Sequence, residues 1–354
     1  MKKAPAMPIR SSVSRKKVTM EDIAKHLGIS KNSVSIALNN KSGLSDALRK
    51  RILEQAAQMN YGSMAAVLPE KRNLCIAVLV PEYLHNDNFF YSEILWAIET
   101  EAKARGCLSL NIGVTSEMES NDIPPELPDE LDVVGLLAVG VMSDRYIQGL
   151  VALGLPILSV DIAYPYLPIG CIGSANLSGG YIATQALIEM GHKRIGFVGP
   201  IHTTLSIYER WCGYSLAMRN ANLPIEAAHS ILGNERKFQL FDTAEVLEPY
   251  VSNVEDQPSA WFCAGDRIAI AMVHLLLKRG IRVPEDVSIM GFDDLAVAEM
   301  LLPRLSTVHI DRKRMGHLAV QQLLRISKQP GAAPVNLSLP GTLVMRDSVK
   351  KLMP

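Results

Sequence analysis

The sequence has no apolar run long enough to cross a membrane: a spanning helix needs about 20 mostly apolar residues, and the longest runs here, such as residues 75–81, have the length of a buried strand. Nor is there a secretory leader pattern. The opening MKKAPAMPIRSSVSRKK is basic and carries prolines with no apolar stretch behind it, so residues 1–17 read as a disordered basic tail. Cysteines are few. The five, at 75, 107, 171, 212 and 263, are odd in number and scattered among mostly apolar neighbours, which fits reduced thiols and not a disulfide framework. These absences predict a soluble, cytoplasmic chain. Compact catalytic signatures are missing too: no GxxxxGK[ST], HExxH, CxxC or GxSxG, and eight histidines without metal-ligand spacing. Neither a cofactor nor a metal is expected, and no repeat or low-complexity segment is visible.

The chain also lacks net charge, with 36 Lys and Arg against 36 Asp and Glu. That balance hides a division. Residues 1–73 hold 14 of the basic and 5 of the acidic residues, leaving 22 against 31 for the rest. Either only the basic head meets a polyanion, which would repel the acidic body, or the head is simply a solvated basic tail.

What is present begins with helical periodicity from 18 to 61. Thr19 can cap a first helix, with Asp22 three residues on and Ile23, Ala24 and Leu27 facing inward, before Gly28 stops it. Ser30 caps a second with Val34 and Leu38 inward, and Ser45 a third with Leu48, Ile52, Leu53 and Ala56 inward. In a helix-turn-helix the second helix crosses the first steeply. This requires a small residue at the crossing, a turn residue tolerant of positive φ, and apolar side chains that lock the pair. Ala24, Gly28 and Val34 fit these roles. Lys31, Asn32, Ser33 and Ser35 then form an exposed polar face at a helix N-terminus, where amides and hydroxyls reach base edges and phosphates.

From residue 74 apolar strand candidates (74–80, 108–112, 133–139, 157–160, 195–198, 260–263, 287–290 and 337–344) alternate with helical stretches (91–105, 177–190, 209–220, 267–279 and 315–327). This order predicts parallel sheets with helices on both faces. So many strands imply two sheets, with a break near 173–175 and a return near 303–307. Residues 117–130, acidic and proline-rich, read as a surface loop.

The stretch VTMEDIAKHLGISKNSVSIALNN, followed by LSDALRKRILEQAAQMNY, resembles the head of the LacI/GalR family of bacterial transcription regulators. The resemblance continues through NFFYSEILWAIETEA, LPILSVD, ALIEMGHKRIGFVGP, YERWCGY, FCAGDRIAIAMVHLLLKRGIRVPEDVSIMGFDD and LSTVHID, spanning about 18–346. It implies an all-α helix-turn-helix head (18–61), a hinge (62–73), and an α/β body (74–354) of two Rossmann-like subdomains with parallel sheets, similar to periplasmic sugar-binding proteins. The subdomains are expected to comprise 74–174 with 305–330, and 175–304 with 331–346, joined by three crossovers around a ligand cleft. The expected DNA-binding residues are Thr19, Ser30, Lys31, Asn32, Ser33, Ser35, Ile36, Asn39 and Tyr61, with Leu68 as a candidate in the hinge. The implied effector site comprises Phe90, Tyr91, Asp161, Arg210, Gly265 and Asp293.

Two regions depart from the family pattern. Most members carry Arg where this chain has Ile36. An isoleucine can pack on a thymine methyl or a sugar but cannot make a bidentate contact with guanine; alternatively it extends the small core. In the hinge, Ser63 and Met64 replace a Pro and an Asn, and Glu70 stands where a Leu usually wedges into the minor groove. A carboxylate is repelled there, and Pro69 lacks the N–H needed to continue a helix. Leu68 wedges in a shifted register, or the minor-groove element is absent.

In the body, aromatic Phe90 and Tyr91 are expected to stack on the effector. Asp161 and Asp293 accept hydrogen bonds and Arg210, opening a helix, donates a fixed fork, a mixture suited to polyols. The plainer alternatives are a helix cap for Asp293 and a surface ion pair for Arg210. Gly265 stands where the family often has Asn or Asp, and Asp266 reads as a helix cap. The expected protein is a homodimeric, effector-controlled DNA-binding regulator with repression as the default. Against it stands a small-molecule-binding protein or enzyme of α/β fold with an incidental helical head. The effector and operator are not legible.

Overall fold

The computed structural model describes residues 18–38, 43–59, 61, 74–86, 90–233, 242–251, 257–329 and 331–352. The chain divides into two compact units, 1–72 and 73–354.

The head consists of α1 (Met20–Leu27), α2 (Lys31–Leu38) and α3 (Asp46–Gln58). Thr19 and Asp22 form a reciprocal capping box, and Gly28 ends α1 at φ 67°, a left-handed conformation that glycine adopts without a Cβ clash. Ser30 accepts from the Ser33 N–H at 3.0 Å to start α2. Ile23, Ala24, Val34, Ala37, Ile52 and Ala56 are buried together as one miniature core.

The body has two lobes. The first is a six-stranded parallel sheet in the order β11-β5-β4-β3-β1-β2. Its strands are β1 (Leu74–Pro81), β2 (Leu108–Val114), β3 (Asp132–Val139), β4 (Ile157–Val160), β5 (Gly170–Ser174) and β11 (Asn336–Leu339). With it go α4 (Tyr91–Ala104), α5 (Ser116–Asn121), α6 (Asp144–Val151) and α11 (Arg312–Ser327). The second lobe is a four-stranded parallel sheet, β7-β6-β8-β9, made of β6 (Ile195–Val198), β7 (Ser230–Ile231), β8 (Ala260–Cys263) and β9 (Ser288–Met290). It carries α7 (Asn176–Glu189), α8 (Leu205–Asn220), α9 (Ala244–Val251) and α10 (Asp266–Lys278). Two parallel bridges, Met290 to Ser306 and Asp293 to His309, tie the β9 edge to the segment of β10 (Thr307–His309), which pairs antiparallel with β12 (Thr342–Val344). The chain therefore passes between lobes three times: after β5, after β10 and after β11.

The structure corrects several sequence expectations. Residues 337–344 are not one strand. Pro340–Gly341 separates β11, paired with β5 of the first lobe, from β12 of the second. Consequently 336–339 belong to the first lobe and 305–310 to the second, the reverse of the expected division. Strand β5, GCIGS, lacks the apolar run that marks its neighbours and carries no sequence signal of its own. Residues 117–121 of the presumed surface loop lie in α5, which starts at Ser116 and is capped by Thr115. Helix α8 starts at Leu205, capped by Thr204, so Arg210 lies in its second turn and does not open it.

That helix is set by backbone contact. A Cβ on Gly180 would fall within van der Waals contact of the Arg210 backbone, and one on Gly213 within that of Leu177. Small residues at both crossings let α7 and α8 touch main chain to main chain, fixing where Arg210 emerges. Gly180→Ala is expected to lower the body's stability by roughly 1–3 kcal/mol through overpacking, whereas Gly149→Ala in α6, with open space around it, leaves it unchanged or slightly raised. Urea unfolding of the two variants measures the contrast.

Candidate functional site

In the head, α2 turns Val34 and Ala37 inward and leaves Lys31 and Asn32 exposed, with Ser33, Ser35 and Ile36 half-buried. Ile36 is not among the apolar side chains packed on the head core among the described residues. The α2 carbonyls at Ile36 and Ala37 face the Arg49 guanidinium of α3 at 3.5 and 3.4 Å, a cation placed against the negative end of the helix dipole. Thr19 and Ser30 are committed as caps: the Thr19 hydroxyl donates to Asp22 at 2.7 Å, and the hydroxyls of Ser30 and Ser33 lie 2.9 Å apart. Tyr61, expected at the DNA, packs on the head core. Asn39, Leu68 and the hinge positions Ser63, Met64, Pro69 and Glu70 lie outside the described residues.

In the body, the six expected effector residues line one cleft of about 260 Å³ between the lobes. Phe90 and Tyr91 meet edge to face, 5.0 Å between centroids, at the start of α4. The Tyr91 hydroxyl donates to Asp161 Oδ2 at 2.8 Å. Opposite, Arg210 is buried and held on several sides. Its Nε donates to Asn176 Oδ1 at 3.0 Å, its Nη1 to the Ala264 carbonyl at 2.5 Å, and its Nη2 lies 3.2 Å from Asp293 Oδ1. Its guanidinium carbon sits 3.8 Å over the centre of the Phe292 ring, a desolvated cation–π contact. Arg210 is thus no surface ion pair. Asp293 does not cap a helix; it faces Arg210 from a backbone at φ 109°. Asp161 also sits at positive φ, 75°. Non-glycine residues rarely occupy this region, and such strain concentrates at functional sites. Gly265 leaves the cleft open beside Asp293, because a Cβ there would stand 3.3 Å from Asp293 Oδ2.

Sequence reading missed three residues here. Asn176 orients Arg210, while its amide nitrogen donates to Glu209 Oε2 at 3.2 Å. Asp242 enters the lining and pairs with Arg267 at 3.0 Å. Arg312, buried at the first turn of α11, joins the lobes: it pairs with Glu93 of α4 at 3.3 Å, donates to the Asp294 carbonyl at 3.1 Å and also to the Asp293 carbonyl. Its position directly after the LSTVHID segment was the available signal.

Asp266, read as a cap, is the fully buried first residue of α10. Its carboxylate oxygens accept from the Thr307 hydroxyl at 2.6 Å and the Leu295 N–H at 2.8 Å. Burial, and next the like charge of Asp293, push its carboxyl up to about 8. It therefore stays protonated at neutral pH, bracing the loop that carries Asp293.

A helix-turn-helix unit joined to a two-lobed α/β body with a polar and aromatic cleft defines a ligand-responsive DNA-binding protein. Residues 19–63 match the family model of bacterial regulatory proteins of the lacI family, and residues 184–349 match a periplasmic binding protein-like domain. The ribose operon repressor of Haemophilus influenzae is 28% identical over 339 residues, covering 94% of this chain and 99% of the relative. An HTH-type transcriptional repressor, PurR, of Vibrio parahaemolyticus is 28% identical over 344 residues, with the same shares. Among solved structures, a transcriptional regulator CelR–cellobiose complex shares the fold at TM-score 0.68 and 24% identity, covering 94% of this chain and all of the other. The lac repressor dimer bound to operator and the anti-inducer ONPF does so at 0.67 and 23%, covering 95% and 100%. The chain thus carries a DNA-binding head of the lacI-family type and a periplasmic binding protein-like domain.

The buried acid makes a pH prediction. An Asp with a native pKa near 8 is ionised in the unfolded chain but protonated in the native one between about pH 4 and 8. Stability from this site is therefore complete below pH 4 and lost as pH rises towards 8, at up to about 1.4 kcal/mol per pH unit. Asp266→Asn mimics the protonated acid. Its stability relative to wild type is expected to rise across that window in urea titrations, and a flat difference would show that Asp266 ionises normally.

Proposed function

We propose that the protein is a transcriptional repressor whose affinity for operator DNA is set by a small sugar-like effector bound between the lobes. The observation that carries this reading is the recognition-helix geometry of α2: Val34 and Ala37 turned into the core, Lys31, Asn32, Ser35 and Ile36 turned away from it. A helix so mounted, in a basic unit, suits the major groove. Lys31 and the helix N-terminus capped by Ser30 meet phosphates, Asn32 and Ser35 read base edges, and Ile36 packs on a thymine methyl. Thr19 and Ser30 shape the reading surface as caps, and Ser33 through its hydroxyl contact with Ser30.

In the cleft, Phe90 and Tyr91 supply a stacking wall, Asp161 and Asp293 accept from ligand hydroxyls, and Arg210 donates. That the relatives are repressors supports repression, and the similar structures, one with cellobiose and another an operator-bound dimer, support a sugar effector and paired subunits. The protein works as a cytoplasmic homodimer reading a near-palindromic site, with no catalytic turnover. Ligand bridging Tyr91 and Asp161 on one lobe to Arg210 and Asp293 on the other favours one closure state, and that preference is what couples to DNA affinity. The Arg312 links to Glu93 and to the 293–294 loop lie across the same boundary.

Selection of bound genomic fragments by the full-length chain tests the reading. A palindromic site is expected, whose binding responds to a sugar handled by the products of neighbouring genes. Arg210→Ala should leave operator affinity intact and raise the effector concentration needed for half-maximal response by about 10- to 150-fold, the range for losing a charged hydrogen bond. Sequence-blind binding that disappears at modest salt would leave only phosphate contacts and defeat the proposal.

A further inference from the structure

The cleft does not end at the inner site. Beyond Tyr83, Val141, Ile162 and Thr204, which line both spaces, it opens into a second chamber of about 670 Å³. The inner space, about 260 Å³, lies just below the ~300–1,000 Å³ of typical small-molecule sites. That is room for a ligand at the small end of this range, about one sugar ring.

The outer chamber is walled by tyrosines from both lobes: Tyr164 and Tyr166 from the loop after β4, and Tyr208 from α8. Tyr164 is locked in place. Its hydroxyl accepts from the Met142 N–H and donates to the Met142 carbonyl, both at 3.0 Å, so the loop carrying Tyr166 has a fixed base. Tyr166 itself is 90% exposed and Tyr208 48% exposed. Exposed aromatic rings contributed by both lobes suit a partner that has an apolar face and a polar rim. The rim is matched by Ser143, His202 and Thr203.

Charge narrows the ligand. The ionised groups of the outer lining are the carboxylates Glu119 and Asp144, and no Lys or Arg lines it among the described residues. In the inner cleft, Arg210 and Arg267 already face Asp293 and Asp242, and Asp161 adds a further carboxylate. A phosphate would meet carboxylates in the outer space and committed guanidinium groups in the inner one. An uncharged ligand meets neither cost.

We propose that the outer chamber is a second sugar subsite, so that the effector is a neutral disaccharide or longer glycoside with one ring beside Arg210 and the next between Tyr166 and Tyr208. This rests on the effector reading given above. Because the two tyrosines belong to different lobes, the second ring is gripped from both sides only as the lobes approach, and a two-ring ligand favours closure more than a single ring does.

Calorimetric titration of the full-length chain decides it. The panel is glucose, galactose and fructose, the disaccharides maltose, cellobiose, lactose, sucrose, trehalose and melibiose, and glucose 6-phosphate and uridine. At least one disaccharide is expected to bind about tenfold or more tighter than its component sugars, the scale of one aromatic stacking contact. Tyr166→Ala and Tyr208→Ala should each remove most of that ratio while operator binding without sugar stays as in wild type. A ratio that survives in both variants, or tighter binding of a monosaccharide, glucose 6-phosphate or uridine, overturns the subsite. If in that case Arg210→Ala still weakens sugar binding by about 10-fold or more, the effector reading stands and only the outer chamber falls. If the wild-type chain binds its operator but no sugar of the panel, both fall together.

Discussion

A buried guanidinium cannot be left without acceptors, and the cleft is organised around meeting that demand at Arg210. Leaving a buried charge unpaired costs several kcal/mol. Asn176, the Ala264 carbonyl and Asp293 each take a share, from α7, from the end of β8 and from the loop after β9. The direct contact of α7 with α8 through Gly180 and Gly213 brings the donor to these acceptors. Local packing and site chemistry are in this sense one constraint: a shift of α8 would open the helix pair and strand the charge together.

The carboxylates around that centre sit in backbone that resists relaxing. Asp161, Asp293 and Asp294 all have positive φ, at 75°, 109° and 54°. Asp294 is held by His309 at 2.9 Å and by Arg346 at 2.7 Å, and Asp293 by its N–H to the Val308 carbonyl at 2.9 Å. Strained conformations persist only where surroundings over-determine them. Here β10, β12 and the segment after β12 supply that enclosure, and protonated Asp266 closes it from beneath.

What was legible in the sequence follows from how local each cause is. The caps at Thr19, Ser30 and Ser45 were readable because capping needs particular side chains at fixed spacing. Strands such as β1 and β8 were readable because burial on both faces demands an apolar run. Strand β5 was not, since GCIGS is shaped by what it packs against: a Cβ on Gly170 would meet the Val335 backbone carbonyl at 2.5 Å. The aromatic and charged cleft residues could be placed through strand ends and family resemblance. Arg312 was marked only by following LSTVHID, and its bridging role was hidden because its partner Glu93 lies 219 positions away; neither Asn176 nor Asp242 carries a local mark of its role. The lobe division at 331–346 was misread for a similar reason. Nothing in NLSLPGTLV states that its two halves join different sheets.

The three passages of chain between lobes carry a consequence for synthesis. The first lobe's sheet has its edge strand β11 at 336–339 and its covering helix α11 at 312–327, so it is unfinished until residue 339 has emerged. The head, by contrast, is complete by residue 61. A chain cut short anywhere in the second lobe therefore has every element of the described head and neither half of a working sensor, and such fragments are the ones whose DNA contacts no ligand could regulate.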